Sequence, residues 1–304
     1  MLKKIRGSLM LLTAAFIWGT AFVAQSKGMD YVEPFTYNSV RTLIGGLVLL
    51  PMIFFFRRRS SRKASENNIK ISFIGGIICG LVLFAASSFQ QLGISMTSAG
   101  KAGFITALYV VIVPVIGIIS GQKPNIKIWL CVFIAVWGFY LLCIKEGFRL
   151  SKGDLYVLIC AVFYSVHIIV IDHFDSKCAD PVIMSCVQFF TAGSIMMICM
   201  FIFEFPALSS IFAAKYTILY AGVMSCGVAY TLHMIGQKYT EPTVATLIMS
   251  LESVFAALAG WIILNEKMSI KEFSGCALVF TAVVASQLDI SFKNRIQIRE
   301  KGDT

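Results

Sequence analysis

The sequence predicts an all-α integral membrane protein, with ten transmembrane helices arranged as two inverted five-helix repeats. Three observations carry the prediction. The 304 residues are 58% hydrophobic and only 14% charged, with a mean hydropathy of +0.81; a soluble domain is nearer half apolar and a quarter charged. The charges also segregate, with long uncharged stretches separated by short polar clusters. The second half of the chain echoes the first at a near-constant offset.

The apolar stretches, each near the 20 residues needed to cross a bilayer, fall at residues 8–25, 34–56, 71–90, 102–119 and 128–144, then 154–171, 181–203, 216–235, 243–264 and 273–288. Helix is the expected form, because unpaired backbone groups are costly in lipid and no stretch alternates like a barrel strand. The N-terminus imitates a signal peptide, but the run from Ser8 to Ala24 is too long and Phe22 stands where a small residue is wanted, so it reads as the first permanent span. Residues 57–70 (RRRSSRKASENNIK) are the longest clear connector, and residues 289–304 form a polar tail. With the N-terminus in the cytoplasm, 17 Lys and Arg residues fall in cytoplasmic segments and 8 in outer ones, with Arg41 left inside a span. That bias supports an even span count, both termini cytoplasmic, in a multi-pass plasma or inner membrane protein.

The net charge of +10 does not read as a nucleic-acid site, because the basic residues sit in short connectors where they set topology. Eight of the nine cysteines lie in apolar runs, Cys178 being the exception, and none forms CxxC; they read as small packing residues.

The repeat is visible in four matches. Ala15-Phe16-Ile17-Trp18 resembles Ala161-Val162-Phe163-Tyr164 at an offset of 146, Pro34 matches Pro181 and Arg41 matches Gln188 at 147, and Gln122-Lys123 matches Glu266-Lys267 at 144. The predicted units are residues 8–144 and 154–288. Five is odd, so the second unit enters the membrane in the opposite sense. Such folds place a binding site near the midplane between the halves and open it to either side.

These residues resemble the EamA family of the drug/metabolite transporter superfamily over about residues 8–288. Trp18-Gly19-Thr20-Ala21-Phe22 is similar to the family's first-span motif, and Pro34 followed by Arg41 to its second. Ala99-Gly100-Lys101-Ala102-Gly103-Phe104-Ile105, Ser250-Leu251-Glu252, Leu264-Asn265-Glu266 and Gly275-Cys276-Ala277-Leu278 extend the match. Ser253 departs from the usual proline after the glutamate, which leaves a kink beside Glu252 unsupported, and Thr281-Ala282 replaces a small-Gly pair. The resemblance implies export of small organic solutes such as amino acids, other metabolites or drugs.

Polar groups inside spans are the candidate substrate-binding residues, since a charge at the bilayer centre costs about 2.5–3.5 kcal/mol and needs a role or a partner. Glu252 reads as a cavity-facing carboxylate for a cation or a proton, or as an interhelical hydrogen bond. Arg41 reads first as snorkelling to the outer headgroups, with a substrate carboxylate or Glu33 as alternative partners. Trp18 and Tyr164, at matching depths, are candidates for a paired aromatic surface. Gln90, Gln91, Tyr109, Gln188, His167 and Tyr230 complete the set, with Asn38, His233 and Ser250 as further hydrogen-bonding groups. Gly75, Gly76, Gly80, Gly222 and Gly227 predict close helix approach, and Met184, Met196, Met197 and Met200 are expected to face lipid. Lys101, Lys123 and Glu266 read as helix-end charges.

No cofactor or metal is expected, since the histidines lack nearby carboxylates in sequence. There is no GxxxxGK[ST], HExxH or GxSxG and no paired aspartates within spans, which argues against an ATPase or an intramembrane enzyme. The leading expectation is a secondary transporter of a small-molecule substrate in the lipid bilayer; the alternative is a passive channel or a structural membrane component.

Overall fold

Lipid offers no hydrogen bonds, so a chain this apolar must satisfy its backbone within each segment. The computed structural model describes residues 2–59, 66–97, 99–119, 125–143, 151–177, 179–263 and 269–287, and among them every regular element is a helix. The connector residues 60–65, Gln122-Lys123, Cys178, residues 264–268 and the tail from 288 onward lie outside the described residues.

The first half contains α1 (Leu2–Gly28), α2 (Pro34–Arg59), α3 (Glu66–Ile94), α4 (Ala99–Thr106), α5 (Tyr109–Ile119) and α6 (Ile126–Cys143). The second contains α7 (Lys152–Ser176), α8 (Pro181–Phe203), a short α9 (Leu208–Ala213), α10 (Lys215–Leu219), a π-helical stretch (Tyr220–Ala229), α11 (Tyr230–Gln237), α12 (Pro242–Met249), α13 (Leu251–Ile263) and α14 (Ile270–Gln287). Among the described residues, seven stretches are long and apolar enough to cross a membrane: Ile5–Gly28, Asn68–Ile94, Ala99–Ile119, Lys152–Ser176, Pro181–Phe203, Lys215–Gln237 and Pro242–Ile263. Ile126–Leu141 is a shorter apolar helix.

Local chemistry sets the helix starts. Ser151 and Asp154 form a capping box at α7, and the Asp180 carboxylate accepts from Val182 and Ile183 N–H at α8. At the start of α2, the Phe35 and Thr36 N–H groups each donate to the Glu204 carboxylate at 2.6 Å. That places an anion on a helix N-terminus and ties α2 to the end of α8.

Three predicted spans are not single α-helices. The fourth breaks between α4 and α5, where Val110 and Val111 N–H donate to the carbonyls of Ala107 and Leu108 in tight i to i−3 bonds. The ninth breaks at Ser250, where the Ser250 hydroxyl donates to the Leu247 carbonyl and the Ser253 hydroxyl to the carbonyls of Ser250 and Gly103. Serine hydroxyls compete for helix carbonyls, so an interruption stands beside Glu252 even though proline is missing at 253. The eighth widens into the π-helical stretch, which propensity alone does not signal.

α2 packs along α8, α3 along α7 and α8, and α6 along α14. α1 packs on α13, α11 and the π-helical stretch, which in turn meets α2. The predicted close approaches are present. A Cβ on Gly80 would lie 2.8 Å from the Gln188 carbonyl oxygen of α8, and one on Gly222 would lie 2.9 Å from the Arg41 carbonyl oxygen of α2. Gly75 and Gly76 likewise face Phe174 and Val187, and Gly227 faces Val48.

The methionine expectation is corrected. Met184, Met196 and Met200 are buried, and only Met197 is partly exposed, at 37%. The buried thioethers fill the α2–α8 and α8–α11 seams and accept from hydroxyls, as Met200 does from Ser39 at 3.4 Å and Met234 from Ser185 at 3.0 Å. An adaptable, polarizable side chain suits such seams.

Candidate functional site

A cavity of about 50 Å³ lies where both halves of the chain meet, room for roughly three to five waters. α1 contributes Trp18, Phe22 and Gln25, α2 Arg41, α3 Gln90, α4 Thr106 and α5 Tyr109. The second half contributes Tyr164, His167 and Ile168 from α7, Ser225 from the π-helical stretch, Tyr230 and His233 from α11, and Met249 and Glu252 from either side of the α12–α13 break. Both helix interruptions therefore border the cavity, as does the π-helical stretch.

Eight of the ten predicted residues line it: Trp18, Arg41, Gln90, Tyr109, Tyr164, His167, Tyr230 and Glu252. Gln188 stands one bond behind, its Oε1 2.9 Å from His167 Nε2. Gln91 is fully buried outside the cavity lining, and among the described residues neither of its amide atoms has a hydrogen-bond partner.

Arg41 requires a correction. It does not snorkel to the headgroups: it is only 4% exposed and lines the cavity. Its Nε donates to Asn38 Oδ1 at 2.8 Å, Asn38 Nδ2 donates to the Ser87 carbonyl at 2.8 Å, and the guanidinium carbon lies 5.7 Å from the Tyr37 ring centre. This bracing turns the side chain inward. Arg41 makes no ion pair with Glu33 among the described residues, because Glu33 is exposed at the start of α2.

Glu252 is also 4% exposed, and its Oε1 accepts from Tyr109 OH at 2.9 Å. Tyr164 OH donates to Gln90 Oε1 at 3.2 Å, Tyr230 OH donates to Tyr164 OH at 3.2 Å, and Gln90 Nε2 reaches Thr106 Oγ1 at 3.4 Å. Trp18 and Tyr164 both line the cavity, and Tyr230 stands between them and touches each. The Trp18 ring meets Tyr230 edge-on at 4.8 Å and His233 at 5.4 Å. Among the described residues, no hydrogen bond of good geometry reaches either His233 ring nitrogen, which has the Gln237 side chain beside it, or Gln25 Oε1. The cavity thus holds one guanidinium and one carboxyl group with no ion pair joining them, among aromatic faces and unpartnered polar atoms that a bound solute can satisfy.

The sequence reading missed Phe22, Gln25, Thr106, Ile168, Ser225 and Met249, and left His233 among the secondary groups. A signal for several of them exists. Ile168 is the mate of Phe22 at offset 146, as Tyr164 is of Trp18, and Thr106 with Met249 and Tyr109 with Glu252 share an offset of 143. Applied to the candidate Gln90, the offset of 143 brings in His233, whereas the pairs Phe22–Ile168 and Thr106–Met249 link only residues that had not been singled out. Gln25 and Ser225 carry no such mark. Among the described residues, no group of three His, Cys, Asp or Glu side chains is placed to hold a metal ion.

Comparison with known proteins agrees with this architecture. The model of the EamA-like transporter family matches residues 5–144 and again residues 151–286. An uncharacterized transporter of Archaeoglobus fulgidus is 29% identical over 292 residues, covering 95% of this chain and 88% of its own. The uncharacterized transporter YoaV of Bacillus subtilis is 21% identical, covering 94% and 98%. A solved crystal structure shares the fold with a TM-score of 0.74 at 19% identity, covering 92% of this chain and 96% of its own. The names of these relatives indicate a transporter and not an enzyme. Matched by the family model along both halves, the chain belongs to the EamA-like transporter family.

Proposed function

We propose that this protein is a secondary transporter that exports small organic metabolites, such as amino acids or drugs, by alternating access. The observation that carries the reading is the buried Arg41 guanidinium and Glu252 carboxyl group, set by different halves around one cavity and not joined in an ion pair. Uncompensated charge inside a membrane is costly, and a solute bearing a carboxylate and an ammonium group compensates both. Trp18, Phe22 and Tyr230 offer an apolar face to its body. The whole candidate set is Trp18, Tyr164, Glu252, Gln90, Gln91, Tyr109, Arg41, Gln188, His167 and Tyr230, with Gln91 and Gln188 acting behind the lining.

The reading includes ten spans in two inverted repeats, residues 8–144 and 154–288, with both termini and the 289–304 tail in the cytoplasm of a cell-membrane protein. Its support is the double family match and the recurrence of packing. Gly80 meets the Gln188 carbonyl, Gly222 meets the Arg41 carbonyl, and Arg41 and Gln188 are repeat mates. Inverted repeats of this kind exchange access by rocking one half against the other.

Ligand-dependent thermal stabilisation of the purified protein, read against a panel of amino acids and other small metabolites, tests the site. The expected result is that a few solutes raise the midpoint in wild type and fail to do so in Arg41→Gln and Glu252→Gln. Stabilisation that both variants retain in full would remove these side chains from the site.

A further inference from the structure

Two glycine crossings flank the cavity, one a turn beyond Gln90 on α3 and one a turn beyond His233 on α11, and they are built alike. At one end α3 meets α7. A Cβ on Gly93 would lie 2.9 Å from the Gly153 carbonyl oxygen and against Val157, and one on Gly153 would lie 3.1 Å from the Gly93 carbonyl oxygen and 2.8 Å from Met96 Cβ. At the other end α1 meets the end of α11. A Cβ on Gly236 would lie 2.9 Å from the Gly7 carbonyl oxygen and against Leu11, and one on Gly7 would lie 3.0 Å from the Gly236 carbonyl oxygen and 2.9 Å from Tyr239 Cβ. The participants are repeat mates throughout: Gly7 with Gly153 and Leu11 with Val157 at offset 146, Gly93 with Gly236 and Met96 with Tyr239 at offset 143.

The two crossings differ in what fastens them. Beside Gly153, the fully buried Asp154 accepts from Lys101 Nζ at 2.6 Å and from Ser151 N–H at 2.7 Å on Oδ2, and from Thr97 Oγ1 at 2.9 Å on Oδ1. Lys101 is in α4 and Thr97 just before it, so this strap ties the first half to the start of α7. At the α1–α11 crossing the same offsets give Ser8 for Asp154, Val244 for Lys101 and Thr240 for Thr97. No ion pair can form between those side chains, and among the described residues the Thr240 hydroxyl has no hydrogen-bond partner.

We infer that the two glycine crossings are the gates of the cavity, and that the Lys101–Asp154 strap locks the α3–α7 gate so that the α1–α11 gate opens first. The inference rests on the transport reading for its purpose. Small residues let helix backbones approach this closely, and among the described residues the α1–α11 crossing has no ion pair at the positions equivalent to the Lys101–Asp154 strap. In the proposed orientation the strapped gate faces outward and the other faces the cytoplasm. A resting protein then loads from the cytoplasm, as an exporter must.

Hydrogen exchange, followed by mass spectrometry on the full chain in lipid nanodiscs, tests the lock without needing a solute. In Lys101→Met, the amides of residues 93–97 and 153–157 should exchange about ten-fold faster or more, while those of residues 7–11 and 236–240 stay as slow as in wild type or slower. Lys101→Arg keeps the charge and should behave as wild type. Unchanged exchange in Lys101→Met, or equal acceleration at both ends, overturns the inference. Because no transported solute enters the readout, this result stands apart from that of any efflux assay: failure to transport leaves an end-specific exchange difference intact, and an active transporter with no such difference refutes only the lock.

Discussion

Gly80→Ala tests whether the α3–α8 crossing is as tight as described. The new methyl would sit 2.6 Å from Thr191 Cβ and 2.8 Å from the Gln188 carbonyl oxygen, against about 3.5–4.0 Å for a comfortable carbon contact. One obstacle is backbone, so rotamer changes cannot relieve it and α3 must retreat from α8. Overpacking of this kind costs about 1–3 kcal/mol, offset by about 0.5–1 kcal/mol from replacing a helical glycine. The net loss is about 1–2 kcal/mol, which lowers the melting midpoint by several degrees. Gly100→Ala is the control: nothing lies within 4 Å of its added methyl, so only the helix-propensity gain remains. A thiol-reactive fluorophore reports unfolding through the buried Cys79, Cys186 and Cys226. Equal midpoints for the two variants would refute the packing argument.

Two further predictions concern the groups that brace the site. Glu204→Ala removes the acceptor of two α2 N–H groups and should cost about 1–2 kcal/mol by the same melting assay, with Glu204→Gln losing less because an acceptor remains. Tyr109→Phe deletes the hydrogen bond from Tyr109 to Glu252; with a bond worth about 0.5–1.5 kcal/mol, the half-saturating solute concentration should rise about two- to ten-fold while helix content by circular dichroism stays constant.

Much of the fold was legible because lipid simplifies the problem. Apolar length marks a segment, and Lys and Arg mark its ends, so α1, α7 and α8 fall where the sequence places them. The interruptions were less legible. The break at Ser250 depends on hydroxyl groups choosing helix carbonyls, and the π-helical stretch lies where Gly222 and Cys226 press against α2; neither choice is visible in hydropathy. Arg41 was misread for a related reason. Its depth in α2 allows a snorkelling route, and only the bracing by Asn38, anchored on α3 through the Ser87 carbonyl, turns it inward. The three methionines were misread because an unbranched apolar side chain looks the same in sequence whether it meets lipid or a neighbouring helix. Glu252, Tyr109 and the Trp18–Tyr164 mates were legible because a polar or aromatic group inside a span is conspicuous and the repeat offset pairs it.

Efflux from proteoliposomes tests the central claim, that small organic solutes cross through the cavity bordered by Arg41 and Glu252. Vesicles loaded with a mixed pool of amino acids and small metabolites would be followed by mass spectrometry for wild type, Arg41→Gln, Glu252→Gln and protein-free vesicles. Wild type should show selective, saturable loss of a few solutes, reduced at least about ten-fold in both variants, each of which loses a polar contact to the solute of about 1.5–3 kcal/mol. Indiscriminate, non-saturable leak of everything small, or wild-type rates from both folded variants, would contradict it.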